Sequence, residues 1–328
     1  MKIVIPLAGK GTRLRPHTHT VPKPLLKAAG KAVLDYVVED ILERLDVDEL
    51  IFITGHLKEQ VEKHVRESYD VPAVFVEQKV QDGTAGAIKL AEPHIDGPLL
   101  IIFVDTLFDA DLSVIRERPE ADGFIWAKEV EDYQRFGVIV RNEEGLMQRI
   151  VEKPREPISK LANIGLYYVG DHRLLFNGID VVLSRDPHLG EYFLTDALQY
   201  MIENGARIGV LEVEGWYDCG KPETLLATNR HLLETGRARR PGDPGKNRLD
   251  TLVRIEDDVE LAQARLEANV TVGRGSRIAR STLRDCIIGE RSVIEDCDLR
   301  GSLIGDDVRV RGLSGTALLG DHTRIEGA

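Results

Sequence analysis

The chain has 328 residues, of which 42% are hydrophobic and 30% charged, with 43 basic against 55 acidic side chains and a formal net charge of -12. This length exceeds one ordinary core and implies two domains. The acidic balance argues against general nucleic-acid binding, no apolar run reaches the length of a membrane span, and three scattered cysteines fit neither a disulfide framework nor a zinc site.

The sequence opens directly into an apolar run, Ile3–Leu7, which reads as a buried first strand; with no signal sequence, a cytoplasmic protein is expected. It continues as Leu7-Ala8-Gly9-Lys10-Gly11-Thr12-Arg13-Leu14-Arg15-Pro16. Glycines after a strand let backbone N–H groups approach a phosphate or base closely. Arg13 and Lys23 add fixed positive charge, and the carboxyl end of a first parallel strand is where open α/β sheets bind nucleotides. No Gly-Lys-Ser/Thr follows Gly9, which excludes the Walker loop, and Leu14 stands where the dinucleotide pattern needs its third glycine. Read alone, the stretch also fits a tight turn with solvated basic residues. His17 and His19, in the same loop, have no metal-ligand spacing and are expected to be flexible.

Helical spacing follows in Val33, Val37, Ile41 and Leu45, then in Leu57, Val61 and Val65, around a strand at Leu50–Ile53. Strands at Ala73–Val76 and Leu99–Val104 flank a helix opened by Thr84. This alternation implies a Rossmann-like α/β domain with a mostly parallel sheet covered on both faces. Gln78 ends a strand and Gly83-Thr84 opens a helix, so a side-chain amide and backbone N–H groups converge there, as a pyrimidine edge requires. A simple turn with Thr84 as helix N-cap accounts for the same residues. The buried strand Leu99–Val104 ends in Asp105, a carboxylate poorly solvated unless a cation such as Mg²⁺ lies opposite. Asp109 and Asp111 read as solvated turn acids. Beyond them the pattern is irregular, with strands at Gly123–Trp126, Gly137–Val140 and Leu166–Val169, where a nucleotide-binding domain would add a substrate-binding part. Trp216-Tyr217-Asp218-Cys219-Gly220 fits an aromatic core pair with Asp218 capping the helix that Pro222 begins.

Residues 236–250 are rich in Gly, Pro and charge and read as a linker between a domain at 1–235 and another at 251–328. No Phe, Trp or Tyr occurs after Tyr217, and Val272-Gly273, Ile288-Gly289 and Ile304-Gly305 recur every 16 residues, with Leu319-Gly320 one short of the next step. Ile278, Leu283, Ile294, Leu299 and Val310 divide each period into segments of five or six. Short segments with one inward aliphatic each resemble the hexapeptide repeat of a left-handed parallel β-helix, whose narrow interior excludes aromatics. An antiparallel sandwich of short strands is the alternative, and it does not account for the period.

The glycine stretch with Val21-Pro22-Lys23-Pro24-Leu25 resembles the signature of the sugar-phosphate nucleotidyltransferases. Gln78 with Gly83, Val151-Glu152-Lys153-Pro154, Phe136-Gly137, Asn163–Tyr167, Gly190–Asp196 and Trp216–Gly220 extend it, in the same order, over residues 1–235. The resemblance implies transfer of a nucleotidyl group from an NTP to a sugar 1-phosphate, giving an NDP-sugar and pyrophosphate. UTP or dTTP and glucose 1-phosphate are the expected substrates. Leu7, Ala8, Gly9, Gly11, Thr12, Arg13, Gln78 and Gly83 would bind the nucleotide. Gly137, Glu152, Lys153, Asn163 and Tyr167 would bind the sugar phosphate, and Asp105 with Asp218 would hold Mg²⁺. Arg13, Lys23 and Lys153 would carry catalysis by neutralising phosphate charge. Val104 and Thr106 depart from the family's usual Gly and Asn on either side of the metal-binding Asp.

The partners implied are the two substrates, with no nucleic acid and no membrane. A short β-helix has open ends and flat faces, so a homo-oligomer is expected, with the tail steadying the enzyme and dispensable for its chemistry. Two alternatives are a catalytically silent NDP-sugar-binding regulatory subunit and a bifunctional enzyme whose β-helix transfers acyl groups.

Overall fold

Strand β1 (Lys2–Pro6) pairs in parallel with β2 (Glu49–Thr54) on one side and with β4 (Leu99–Ile102) on the other, and β2 continues in parallel to β3 (Ala73–Glu77). In this computed structural model residues 1–118, 121–241 and 245–327 are described; positions 242–244 of the expected linker and residue 328 lie outside them. The near-continuous apolar runs of these strands follow from burial on both faces: Val4, Ile51 and Ile101 face one way, Ile3, Ile5, Leu50 and Leu100 the other, all at 0% exposure.

By its contacts the chain divides into two units, Met1–Gly9 with Val37–Trp216, and Lys10–Tyr36 with Tyr217–Ala328. In the first, the sheet becomes antiparallel beyond β4. After β5 (Gly123–Glu129), β6 (Gly137–Arg141) and β7 (Met147–Glu152), the long β8 (Leu161–Val169) pairs antiparallel with β4, β5 and β6. Strand β9 (Ile208–Glu212) then pairs in parallel with β5, completing a mixed sheet of nine strands among the described residues. Helices Thr84–Lys89, His172–Leu183 and Leu194–Glu203 bury Ile88, Leu175, Ile179, Leu198 and Met201 against one face. The β8 register shifts between Asn163 and Tyr167, with Gly165 at φ 81°. That bulge re-aims the side chains of the Asn163–Tyr167 stretch. Among the described residues no helix is long and apolar enough to cross a membrane.

The second unit is a parallel β-helix with Lys10–Tyr36 and the helix Pro222–Leu232 packed on one face. Val253, Val270, Cys286 and Ser302 stack in register, as do Ile278, Ile294, Val310 and Ile325, so every rung is parallel. The register shows successive rungs offset by 17, then 16, then 15 residues, for example Val253 to Val270, Cys286 to Ser302 and Leu303 to Leu318. The strict 16-residue repeat is the middle of this series. The expected inward aliphatics are buried, and Cys286 and Cys297 lie among them as free thiols.

On one face the outward residues are covered as well and mostly apolar. Thr271, Ile287 and Leu303 are buried, while Leu318, at the far end, is 38% exposed. His17, Val21, Leu25, Leu26 and Leu225 line a cavity with Ile287, Ile288, Leu303 and Ile304. Thus His17 is not a flexible loop residue: it is buried, and burial lowers its pKa against the opposing pull of Asp321 and the Leu303 backbone. His19 is exposed, as expected.

Candidate functional site

The residues expected to bind the sugar phosphate come together in the first unit. A Cβ built on Gly137, the first residue of β6, would lie 2.5 Å from Asn163 Nδ2, 2.9 Å from Thr195 Cγ2 and 3.0 Å from Glu152 Oε2. Strand β7 supplies Glu152, β8 supplies Asn163 and Tyr167, and the helix Leu194–Glu203 supplies Thr195. The Thr195 hydroxyl donates to Glu152 Oε2 at 3.2 Å, and Asn163 Oδ1 accepts from the Gly165 N–H at 2.9 Å and from the Tyr167 hydroxyl. Burial raises the Glu152 pKa, opposed by Lys153 and the Thr195 hydroxyl. Burial, with the Glu152 and Asp105 carboxylates nearby, pushes the Tyr167 phenol far up, so it stays a hydrogen-bond donor.

Lys153 is the cation of this cluster. Its Nζ is 3.8 Å from Glu152 Oε1 and 4.8 Å from the centre of the Phe193 ring, a cation–π distance. Its backbone has φ 44°, rare for a side-chain-bearing residue, and its N–H donates to the Phe136 carbonyl at 2.9 Å. Asp105, just past β4, is half-buried; Val104 and Thr106 beside it are buried, and the Thr106 hydroxyl has no hydrogen-bond partner among the described residues. Asp109 and Asp111 are exposed.

The loop at 78–83, expected to bind the nucleotide, is held from behind. Gln78 is 8% exposed and its Nε2 donates to Asp82 Oδ1 at 3.0 Å and to the Gly83 carbonyl at 3.2 Å. The amide donor is therefore used within the loop, and the group Gln78 can turn to a base is its Oε1. Gly83 has φ 123°, and a Cβ there would lie 2.6 Å from Tyr192 N, so only glycine fits. Tyr192 clamps the loop through its backbone, donating to the Asp82 carbonyl at 2.8 Å and accepting from the Ala85 N–H at 2.9 Å. The helix after Gly83 has no side-chain N-cap; the Thr84 hydroxyl instead accepts from the Leu194 N–H at 2.8 Å. Gln81, which the motifs did not single out, donates through Nε2 to the Ala8 carbonyl at 2.8 Å. Leu7 is held by its N–H to the Ile53 carbonyl at 2.9 Å, Ala8 is buried and Gly9 is exposed.

Gly11, Thr12, Arg13, Lys23 and Asp218 belong to the second unit. Thr12 and Arg13 are exposed on a short turn anchored by the fully buried Leu14. The Thr18 hydroxyl donates to the Gly11 carbonyl at 2.9 Å, and Lys23 opens a further turn, Lys23–Leu25. Arg13 and Asp218 flank one bare Cα: a Cβ on Gly220 would lie 2.7 Å from Asp218 Oδ1 and 3.4 Å from Arg13 Nη2. The Gly220 N–H donates to Asp218 Oδ1 at 2.7 Å, and Lys221, not Asp218, stands at the N-cap of the helix Pro222–Leu232. Among the described residues no group of three or more His, Cys, Asp or Glu is placed to hold a metal ion. Carboxylate oxygens such as those of Asp105 and Asp218 are the donors Mg²⁺ takes, and it is commonly held by one or two of them with substrate phosphates completing its shell.

Gln81 is a functional candidate that sequence reasoning missed, and Tyr192, Phe193 and Thr195 lie in a stretch it named without giving them individual roles. The Gly190–Asp196 stretch was visible as a motif, but its work, through Tyr192 backbone atoms and the Phe193 ring, has no one-dimensional signal.

The chain is similar to many known proteins, among them these three. A UTP–glucose-1-phosphate uridylyltransferase, AglF of Haloferax volcanii, is 33% identical over 241 residues, covering 71% of this chain and 97% of that protein. The bifunctional protein GlmU of Methanococcus aeolicus is 34% identical over 262 residues; the match takes in 80% of this chain but only 62% of the relative's length. A glucose-1-phosphate thymidylyltransferase of Streptomyces antibioticus is 29% identical across 100% of this chain and 91% of its own. Among solved structures, UDP-glucose pyrophosphorylase complexed with UDP-glucose superposes with a TM-score of 0.62 at 26% identity, over 71% of this chain and 98% of that one. Residues 2–235 match the Nucleotidyl transferase family, and the chain belongs to it.

Proposed function

We propose that the protein transfers a nucleotidyl group from UTP or dTTP to a sugar 1-phosphate, glucose 1-phosphate first among them, releasing pyrophosphate. The observation that carries this reading is the convergence of Gly137, Glu152, Lys153, Asn163, Tyr167 and Thr195, from four separate stretches, on one partly buried polar cluster with a single lysine. A carboxylate acceptor and an amide N–H donor suit sugar hydroxyls, and one ammonium suits one phosphate. The names of the Haloferax and Streptomyces relatives support glucose 1-phosphate with UTP or dTTP.

In the reaction a phosphate oxygen of the sugar 1-phosphate attacks the α-phosphorus of the NTP, a new P–O bond forms, and the α–β P–O bond breaks as pyrophosphate leaves. No protein nucleophile is required, so catalysis is positioning plus neutralisation of phosphoryl charge. Lys153 would hold the attacking phosphate, its ammonium kept in place by the Phe193 face and the Glu152 carboxylate. Glu152 would accept from sugar hydroxyls, and Asn163, whose Oδ1 is committed to the Gly165 N–H and the Tyr167 hydroxyl, would donate to one through Nδ2. Arg13 and Lys23 would hold the triphosphate and stabilise the departing pyrophosphate. Gln78 Oε1 would accept from the N3–H of uracil or thymine, with backbone N–H groups at Gly83 as donors. Mg²⁺, with Asp105 and Asp218 as its carboxylate ligands, would supply charge neutralisation at the reacting phosphates.

Pyrophosphate release measured across UTP, dTTP, ATP, GTP and CTP, each with a panel of sugar 1-phosphates and Mg²⁺, tests this. Turnover with a pyrimidine nucleotide and glucose 1-phosphate is expected. Preference for a purine nucleotide refutes the Gln78 reading, and binding of NDP-sugar with no turnover on any pair would instead make the chain a regulatory subunit. The GlmU relatives' name, bifunctional, favours a second reading in which the β-helix transfers acyl groups; thiol release from acetyl-CoA with an amino sugar phosphate tests it.

A further inference from the structure

The hairpin that follows Lys23 turns on Ala29-Gly30, between the paired dipeptides Lys27–Ala28 and Lys31–Ala32. Both turn residues have positive φ, 45° and 81°, a two-residue type I′ geometry for which Asn-Gly is the usual sequence. An alanine held there costs about 1–2 kcal/mol, so the surrounding structure must over-determine it. Two contacts do so. The Ala29 N–H donates to Asn229 Oδ1 at 2.7 Å, and the Gly30 Cα presses on the Arg254–Glu256 ion pair of the β-helix so closely that a Cβ would enter both side chains.

Asn229 is fully buried. Its Oδ1 also accepts from the Thr271 hydroxyl at 2.9 Å, and its Nδ2 donates to Asn269 Oδ1 at 2.7 Å. Asn269, 1% exposed and at φ 63°, donates in turn to the Leu226 carbonyl at 3.0 Å and to Asp285 Oδ1 at 3.2 Å. No side-chain atom of either amide lacks a partner, and such a fully satisfied buried network specifies one arrangement. It joins three pieces of chain distant in sequence: the hairpin tip, the helix Pro222–Leu232 and two coils of the β-helix.

The tip is also coupled to Lys23. The Leu26 N–H donates to the Lys23 carbonyl at 3.2 Å and the Val33 N–H to the Leu26 carbonyl at 3.0 Å, so few soft torsions separate the turn at Lys23–Leu25 from the hairpin. We propose that Asn229 and Asn269, with Gly30, are positioning residues that seat the triphosphate-binding segment Lys10–Lys23 on the β-helix, so that intact coils set its affinity for the nucleotide. This rests on the reading that Arg13 and Lys23 hold the triphosphate. It makes the β-helix part of the nucleotide site's scaffold without placing a substrate contact in it.

The test compares full-length Asn229→Ala and Gly30→Ala with Ile294→Val, which removes one methylene from the coil core away from the hairpin. Steady-state kinetics are run below the melting temperature of every variant, and hydrogen exchange is followed at residues 10–26. The first two variants should raise KM for the NTP roughly tenfold, the scale of a partly misplaced binding group, with KM for the sugar phosphate unchanged and faster exchange at 10–26. Ile294→Val should do neither. Folded Asn229→Ala and Gly30→Ala proteins with wild-type NTP KM and exchange would overturn the proposal, as would an equal effect in Ile294→Val. If one of the two fails to fold, the other decides. If the wild-type protein turns over no NTP, the functional reading fails, and the exchange arm, which needs no substrate, still decides whether this bracket seats the segment.

Discussion

Replacing Gly137 with alanine probes the sugar-side cluster most directly. The added Cβ would lie 2.5 Å from Asn163 Nδ2, 2.9 Å from Thr195 Cγ2 and 3.0 Å from Glu152 Oε2. Ordinary contact needs about 3.5 Å, so Asn163 must retreat by about 1 Å. Its Oδ1 is committed to the Gly165 N–H and the Tyr167 hydroxyl, and each weakened hydrogen bond costs about 1 kcal/mol. With partial relaxation of the overpacked site the net loss is about 2 kcal/mol, a fall in melting temperature of about 4–8 °C for a unit of this size. The atoms that move are those assigned to the sugar phosphate, so its KM should rise about tenfold or more while KM for the NTP changes by less than about twofold. Gly97→Ala is the control, because a Cβ there meets nothing within 4 Å. Scanning calorimetry and pyrophosphate-release kinetics read the two effects separately. A Gly137→Ala protein that melts early yet keeps its sugar-phosphate KM would refute the assignment of the cluster, and one unchanged in both would refute the packing argument itself.

Asp105→Asn should lower Mg²⁺-dependent turnover by roughly 10²-fold or more with little change in melting temperature; near-normal turnover removes Asp105 from the metal. Burial holds the Glu152 pKa above its ordinary 4.5, so as pH rises the unfolded chain releases this proton first, and stability is lost between 4.5 and the raised folded value. Glu152→Gln should therefore melt above the wild type at pH 7 while binding sugar phosphate more weakly; a variant melting at or below wild type there, with an unchanged pH profile, refutes the burial argument. Truncation after residue 235, expected from sequence to spare the chemistry, should instead abolish or strongly weaken nucleotide binding. It strips Asn229 of Asn269 and Thr271 and uncovers the apolar face of the segment that carries Arg13 and Lys23. A truncated protein with wild-type NTP KM, measured by nucleotide titration, would show that this segment holds its shape without the coils.

What the sequence determined by itself was whatever local chemistry or periodicity enforces. Apolar runs such as Ile3–Leu7 and Leu99–Val104 read as doubly buried strands, and an aliphatic every five or six residues without aromatics, on a 16-residue period, fits a narrow coil better than a sandwich. The glycine stretch and the Glu-Lys-Pro, Asn-Ile-Gly and Gly-Glu-Tyr motifs carried the resemblance to the family, and with it the expected nucleotide and sugar sides, because motifs found together in one order say more than any of them alone. Tertiary structure alone decided which way those groups turn. Gln78 spends its amide donor on its own loop, Thr84 accepts from Leu194 instead of capping its helix, and Lys153 is steadied by a ring 40 residues away in sequence. It also decided that Lys10–Tyr36 packs with the β-helix, since an outward ladder of Thr271, Ile287 and Leu303 is indistinguishable in sequence from any other β-branched or apolar rung. Partner choice between distant segments depends on which faces are left uncovered once both have folded, and that is a property of surfaces, not of spacing.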